Sequence, residues 1–261
     1  MRAASWLLAS LVACGSTAPT AAPGPTPPTA ASEPSPTSSA LAPRSDASVP
    51  SESPDPVAVR INERYARRDA SDWDSFEREG REVFDHRTRI VDALALAPGD
   101  VVADVGAGTG LFTLEFARRV GPRGRVFAVD VQPYFREHIA ERAAQAGLEN
   151  ITTVVADQRH SGLAADSVDV AFLCDAYHHL ELPQTYLADL HRALRPGARL
   201  VVVDYDRTRA GVDAWMRKHV RADPEQFRRE IEGAGFRLVD TPALLRENFV
   251  MIFERPADET R

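Results

Sequence analysis

Residues 97–256 of this 261-residue chain predict an α/β fold: a doubly wound sheet of seven strands, mostly parallel with an antiparallel last strand. Three observations predict it. Short β-branched runs alternate with helix-length stretches, the pattern of a parallel sheet covered on both faces. Five of those runs end at or next to an aspartate: Asp104, Asp130, Asp157, Asp175 and Asp204. The last two runs are joined by a short loop with no helix, which turns the final strand antiparallel.

Taken in order, residues 57–96 read as helical, in the stretches Val59–Arg68, Trp73–Glu82 and Val83–Leu96. Strands are expected at 101–105, 125–130, 151–156, 168–174 and 199–204, with helices between them at roughly 110–120, 133–146 and 183–194. Pro224–Gly233 is a further helix, with Pro224 in its first turn and Gly233 or Gly235 near its end. Phe236–Asp240 and Asn248–Glu254 complete the seven strands. Ligands in such sheets sit beyond the carboxyl ends of the strands, so the strand-end aspartates are the first candidates for function. Turn formation and helix capping account for some of them.

The N-terminal part is different material. Arg2 precedes an apolar stretch, Ala3–Ala13, and then Cys14. That is the layout of an export signal, too short to span a bilayer. Leu11–Val12–Ala13–Cys14 resembles a bacterial lipoprotein signal, in which the cysteine is acylated and becomes the new N-terminus. Residues 15–56 hold eleven of the nineteen prolines among Ala, Ser and Thr, and cannot bury enough surface to fold. The expected organisation is a signal at 1–14, a disordered tether at 15–56, an N-terminal helical segment at 57–96 and a ligand-binding domain at 97–256. The expected location is the bacterial cell envelope, lipid-anchored through Cys14, or the cytoplasm if the signal is not used.

Composition narrows the function classes. At 44% apolar and 26% charged the chain is globular in character. A net charge of −7 argues against nucleic acid, which demands dense Lys and Arg. The only cysteines, Cys14 and Cys174, build neither a disulfide framework nor a cysteine zinc site.

ADVGAGTGLF at 103–112 carries the chemistry. The dinucleotide fingerprint G-x-G-x-x-G fails in both registers, because Leu111 or Thr113 stands where its third glycine belongs. Gly106, Gly108 and Gly110 bare the backbone, and the helix start behind them suits a carboxylate as well as a phosphate. Asp104 suits a cation such as an α-ammonium. Asp130 ends the next strand, 24 residues after Gly106, where a carboxylate can accept both hydroxyls of a ribose.

With RVFAVDV at 125–131, VADQ at 155–158, SVDVAFLCDAYHHL at 167–180 and LRPGARLVVVDYD at 194–206, residues 85–255 resemble the class I S-adenosylmethionine-dependent methyltransferases, whose sheet is Rossmann-like. The resemblance implies S-adenosylmethionine as cofactor. It puts Gly106, Ala107 and Gly108 under the methionine part, and Asp104 near its amino group. Asp130 falls on the ribose, Val131 beside the adenine, Asp157 and Gln158 near the adenine amino group, and Asp175 on the sulfonium side. Ala198 replaces the family's commoner glycine in a turn.

Methyl transfer from a sulfonium needs chiefly alignment, and a base only where the acceptor must lose a proton. Tyr177, His178 and His179 are the candidates. A metal set from His178, His179, Asp175 and Asp204 is conceivable, but no metal is expected. Tyr65, Trp73, Phe76 and Phe84 either pack or shape an acceptor pocket. Arg217, Lys218, His219, Arg221, Arg228 and Arg229 form a basic cluster that reads as a solvated helix face, the alternative being a face towards anionic lipid heads if the domain hangs beneath a membrane. The expected acceptor is a small molecule, lipids and quinone precursors included. The Asn/Asp-Pro-Pro-aromatic motif of DNA-base methylation is missing after Asp175. The alternative is an exported, non-catalytic domain of the same fold that binds an adenosine-like ligand or a protein partner. It arises because the cofactor is made in the cytosol and a lipoprotein lies outside it.

Overall fold

The computed structural model describes residues 52–65 and 75–257. Cys14, most of the tether, Trp73 and the side chain of Tyr65 lie outside the described residues. The elements run α1 (Pro56–Tyr65), α2 (Glu82–Asp85), α3 (Arg87–Ala93), β1 (Val101–Val105), α4 (Leu111–Val120), β2 (Arg125–Asp130), α5 (Pro133–Gln145), β3 (Ile151–Val155) and β4 (Val168–Cys174). A 3₁₀ turn (Tyr177–His179) follows, then α6 (Pro183–Ala193), β5 (Leu194–Tyr205), α7 (Ala214–His219), α8 (Pro224–Gly233), β6 (Arg237–Asp240) and β7 (Asn248–Glu254).

The sheet order is β3-β2-β1-β4-β5-β7-β6, with β7 antiparallel to both its neighbours and the first five strands parallel. The fold is Rossmann-like, as the sequence predicts. Alternation along the strands sorts the core into two layers. Val102, Val126, Val170, Phe172, Val201 and Val203 face α3 and α4, where Phe112 and Phe116 pack on Phe172. Ala103, Val105, Leu173, Leu200 and Val202 face the other way, towards α6 and α8. The strand order reverses between β1 and β4, which opens the crevice that such sheets use for ligands.

Three expectations need correction. Residues 76–81 are irregular, not the second half of a helix over 73–82, because Gly80 has φ +87° and Arg81 is extended. The end of the expected tether belongs to the fold. The Glu52 carboxylate accepts the amides of Gln184 (3.0 Å) and Thr185 (2.8 Å) at the start of α6, and Asp55 caps α1 through Val57 and Ala58. The third is α7, a six-residue helix in a stretch outside the expected elements; it buries no residue and so carries no apolar period.

The basic face is a fourth correction. Arg228 and Arg229 are partly exposed and pair with glutamates along α8, but the Arg221 side chain is 2% exposed. Its guanidinium forms a two-pronged bond to Glu230 (2.8 and 2.6 Å) and lies over the rings of Tyr177 and Phe227. Among the described residues no helix is long and apolar enough to cross a membrane. Arg221→Ala strands Glu230 beside the core. Urea unfolding should show a loss of about 3–5 kcal/mol; a loss under about 1 kcal/mol would contradict this role for the pair.

Candidate functional site

The glycine loop connects β1 to α4 at the crevice. All three of its glycines have positive φ, and at Gly106 (φ +75°) an added Cβ would lie 2.6 Å from that of Ala176. The close approach ties the loop to the end of β4. Gly110 (φ +84°) meets Ile139 of α5 in the same way, at 2.9 Å, so close packing comes from a glycine one residue earlier than the dinucleotide fingerprint places it. The amides of Gly106 and Ala107 donate to Val129 O, that of Gly108 to Asp130, and that of Gly110 to Ala107 O. These four donors therefore shape the loop. They are not turned to a ligand, as the bare helix start suggested.

Asp104 faces α4 and is 3% exposed, its carboxylate accepting the Thr113 hydroxyl at 2.6 Å. Burial pushes its carboxyl up to about 7. The Thr113 bond works against that shift and nearby Asp130 adds to it. An acid held this way ionises most readily when a cation arrives, which fits the expected ammonium partner.

At the end of β2 the Asp130 carboxylate accepts Gly108 N–H on one oxygen and Gln132 N–H on the other, each at 2.9 Å. A carboxylate has about four lone-pair sites, so it retains capacity for a hydroxyl. Burial raises its pKa while these amides pull it down. Val131 beside it is exposed at 42%. Asp157 accepts the amides of Arg159 and His160 (both 2.7 Å), which places it in a turn at the end of β3, and Gln158 accepts the amide of Glu181 at 3.2 Å.

At the end of β4, Asp175 has φ +49° and is enclosed. It accepts from Arg81 (2.7 Å) and Asn248 (2.6 Å). Burial raises its pKa, while Arg81 opposes that shift. Arg81 comes from the segment before α2, whose Glu82 carboxylate accepts the amides of Arg246 (2.5 Å), Glu247 (2.6 Å) and Asn248 (3.1 Å). Burial works to raise Glu82, but those three donors outweigh it and hold the acid below its usual range. Glu77 accepts from the buried Thr109 hydroxyl (2.5 Å) and from Arg142 of α5 (3.0 Å), and Phe76 meets Phe135 edge-on. Segment 76–82 thus lies across the glycine loop and the β4 end. The sequence offered no pattern for these long-range pairs.

Beyond Asp175 the candidates for proton transfer separate. Tyr177 is fully buried in the core, its hydroxyl donating to Glu230 at 3.0 Å and its ring edge-on to Phe227. Burial and Glu230 both push its pKa far up, so Tyr177 is a packing residue and not the base named for it from sequence. Cys174 is a thiol held protonated by burial and by Asp175. His178 is 1% exposed. Its Nδ1 lies 2.7 Å from Asp204 Oδ1, and its amide donates to Oδ2 at 3.0 Å. Its Nε2 is buried with no hydrogen-bond partner. His179 Nδ1 lies 2.7 Å from Asn62 Oδ1 of α1. His219 of α7 completes a three-ring group, with centroids 5.0 Å from His178 and 5.6 Å from His179.

Comparison with known proteins agrees with this architecture. Residues 102–197 match the family model of a methyltransferase domain. The chain is 30% identical over 167 residues to an arsenite methyltransferase of Halobacterium salinarum, covering 64% of this chain and 41% of that protein. It is 27% identical over 145 residues to a ubiquinone/menaquinone biosynthesis C-methyltransferase of Ralstonia pickettii, covering 51% and 59%. The chain therefore spans less than two thirds of either relative. A SAM-dependent methyltransferase from Aquifex aeolicus superposes with a TM-score of 0.65 at 24% identity, covering 72% of this chain and 99% of that one.

Asp104 makes stability depend on pH with a definite sign. Its folded pKa is raised, so the folded state holds the proton that the unfolded chain releases, and stability falls as pH rises from about 4 to about 7. Asp104→Asn lacks that loss. Relative to wild type, the variant should gain about 2–3 kcal/mol between pH 5 and pH 8 in denaturant titrations; a difference constant with pH would refute the assignment.

Proposed function

We propose that this protein transfers a methyl group from S-adenosylmethionine to a small-molecule acceptor. The observation that carries the reading is Asp130. Its carboxylate ends β2 at the crevice, fixed by two amides yet able to accept more, beside an exposed Val131. That is the chemistry a ribose diol and an adenine face require. Asp104, under the same loop, offers a buried acid to an α-ammonium. Bound cofactor would supply an electrophilic methyl on a positive sulfur. The chain's own residues would then hold the diol at Asp130, keep the amino-acid tail against the glycine loop and cover the crevice with segment 76–82. Alignment in a site shielded from water supplies much of the acceleration.

The acceptor side is the β4 end, where Asp175 is fixed by Arg81 and Asn248 and where His178 and His179 stand within four residues of it. A small molecule is favoured over nucleic acid by the net charge of −7. The relatives named for arsenite and for quinone biosynthesis support a small acceptor, with lipid-soluble quinone-like compounds in the class. Location belongs to the same proposal. Residues 2–14 suit acylation at Cys14, and a Pro-rich tether would let the domain hang from a membrane.

Two measurements test this. Calorimetry with S-adenosylmethionine should show binding to wild type and an affinity at least tenfold lower for Asp130→Ala, the loss of a charged hydrogen-bond acceptor. Equal affinities, in variants that unfold at the same temperature, would remove the ribose role. Cys14→Ser should shift the protein from the membrane to the soluble fraction and abolish fatty-acid labelling, whereas an unchanged distribution would remove the anchor.

A further inference from the structure

His178, His179 and His219 come from two segments about 40 residues apart in sequence, and each offers one ring nitrogen within 4.8 Å of the others. No sequence spacing signals such a set. The tautomers follow from the hydrogen bonds. Both Asp204 oxygens already act as acceptors, Oδ2 for the His178 amide and Oδ1 for the Tyr205 amide, so the hydrogen of the ring contact is assigned to His178 Nδ1 and the lone pair to Nε2, the buried atom with no partner. Asn62 cannot be flipped, because its Nδ2 donates to both His179 O and Glu181 Oε1 at 2.9 Å. Its oxygen therefore faces His179 Nδ1, which again directs the lone pair to Nε2.

We propose that His178, His179 and His219 form the seat of one divalent transition-metal ion of the zinc type, oriented by Asp204 and Asn62. A ligating imidazole almost always donates its other N–H to a carboxylate or carbonyl, and two of the three rings do so here. Three neutral imidazoles with a fourth position open is a catalytic zinc set, and imidazole suits zinc, copper, iron and nickel alike. Zn–N bonds of about 2.0–2.1 Å need nitrogens roughly 3.4 Å apart, so the rings must close by an ångström or so. His219 stands on α7, which buries no residue, so closing the set displaces no core side chain.

The expectation of no metal is revised by this inference. Asp204 takes the part of an orienting group instead of a ligand, and the third ligand is a histidine assigned from sequence to a solvated face. Where methyl transfer also holds, the open position would take an ionisable oxygen or sulfur of the acceptor as its anion, the proton leaving to solvent. That clause rests on the proposed function. The metal seat does not, and its test uses no cofactor.

The experiment is titration of tag-free, chelator-treated full chain with Zn²⁺ by calorimetry and with Co²⁺ by visible absorption. The expected result is one ion per chain and the intense absorption of tetrahedral Co²⁺. Affinity should fall at least tenfold in His219→Ala, which removes no buried side chain, and by 10–100-fold in Asp204→Asn, which removes an orienting acceptor and no ligand. No stoichiometric binding, or His219→Ala binding as tightly as wild type, overturns the proposal. Since S-adenosylmethionine affinity is measured separately through Asp130, either reading can fail without the other.

Discussion

The central strands are apolar on both faces, and that constraint governs where everything polar in this protein can go. β1, β4 and β5 lie between α3 and α4 on one side and α6 and α8 on the other, and their middle residues are almost fully buried. An ionised group there would meet a large desolvation penalty. Polar side chains are therefore pushed to the strand ends: Asp169, Arg195 and Arg199 towards the amino ends of β4 and β5, and Asp104, Asp130, Asp175 and Asp204 at the carboxyl ends that face the crevice. Their proximity raises the electrostatic stakes, and each is managed differently. Asp104 has a hydroxyl, Asp130 two amides, Asp175 an arginine and an amide side chain, and Asp204 a histidine.

That management draws in distant parts of the chain. Arg81 pairs with Asp175 from a segment that Glu82 fixes to three amides leading into β7. β7 in turn is inserted antiparallel between β5 and β6, which brings Asn248 alongside Asp175. The cover over the crevice and the odd strand of the sheet thus form one hydrogen-bonded unit. Charge satisfaction at the β4 end and enclosure of the crevice have the same physical origin.

The histidine group extends the principle. Asp204, fully buried, accepts a ring N–H and two amides, and so leaves His178 Nε2 as the ring's unpartnered atom within a group of three histidines. A buried lone pair without a donor is uncommon in folded proteins. Here the ring belongs to a three-histidine group whose ring nitrogens lie within 4.8 Å of one another, the geometry from which the metal seat is proposed.

The sequence by itself determined the sheet. Alternating β-branched runs and helix-length stretches located all seven strands to within a few residues apart from an N-terminal extension of β5, and the missing helix before Asn248 gave the antiparallel strand. Those features are local, because period and turn chemistry are written in neighbouring residues. Placement of the aspartates at strand ends was legible for the same reason. What only the tertiary structure decided is pairing across distance: Arg81 with Asp175, Glu77 with Arg142, Glu52 with the start of α6, and His219 with His178 and His179. It also decided orientation, turning Tyr177 and Arg221 into the core and Glu52 from tether into cap. Each depends on which surfaces the packed helices bring together, and a one-dimensional pattern carries no record of that.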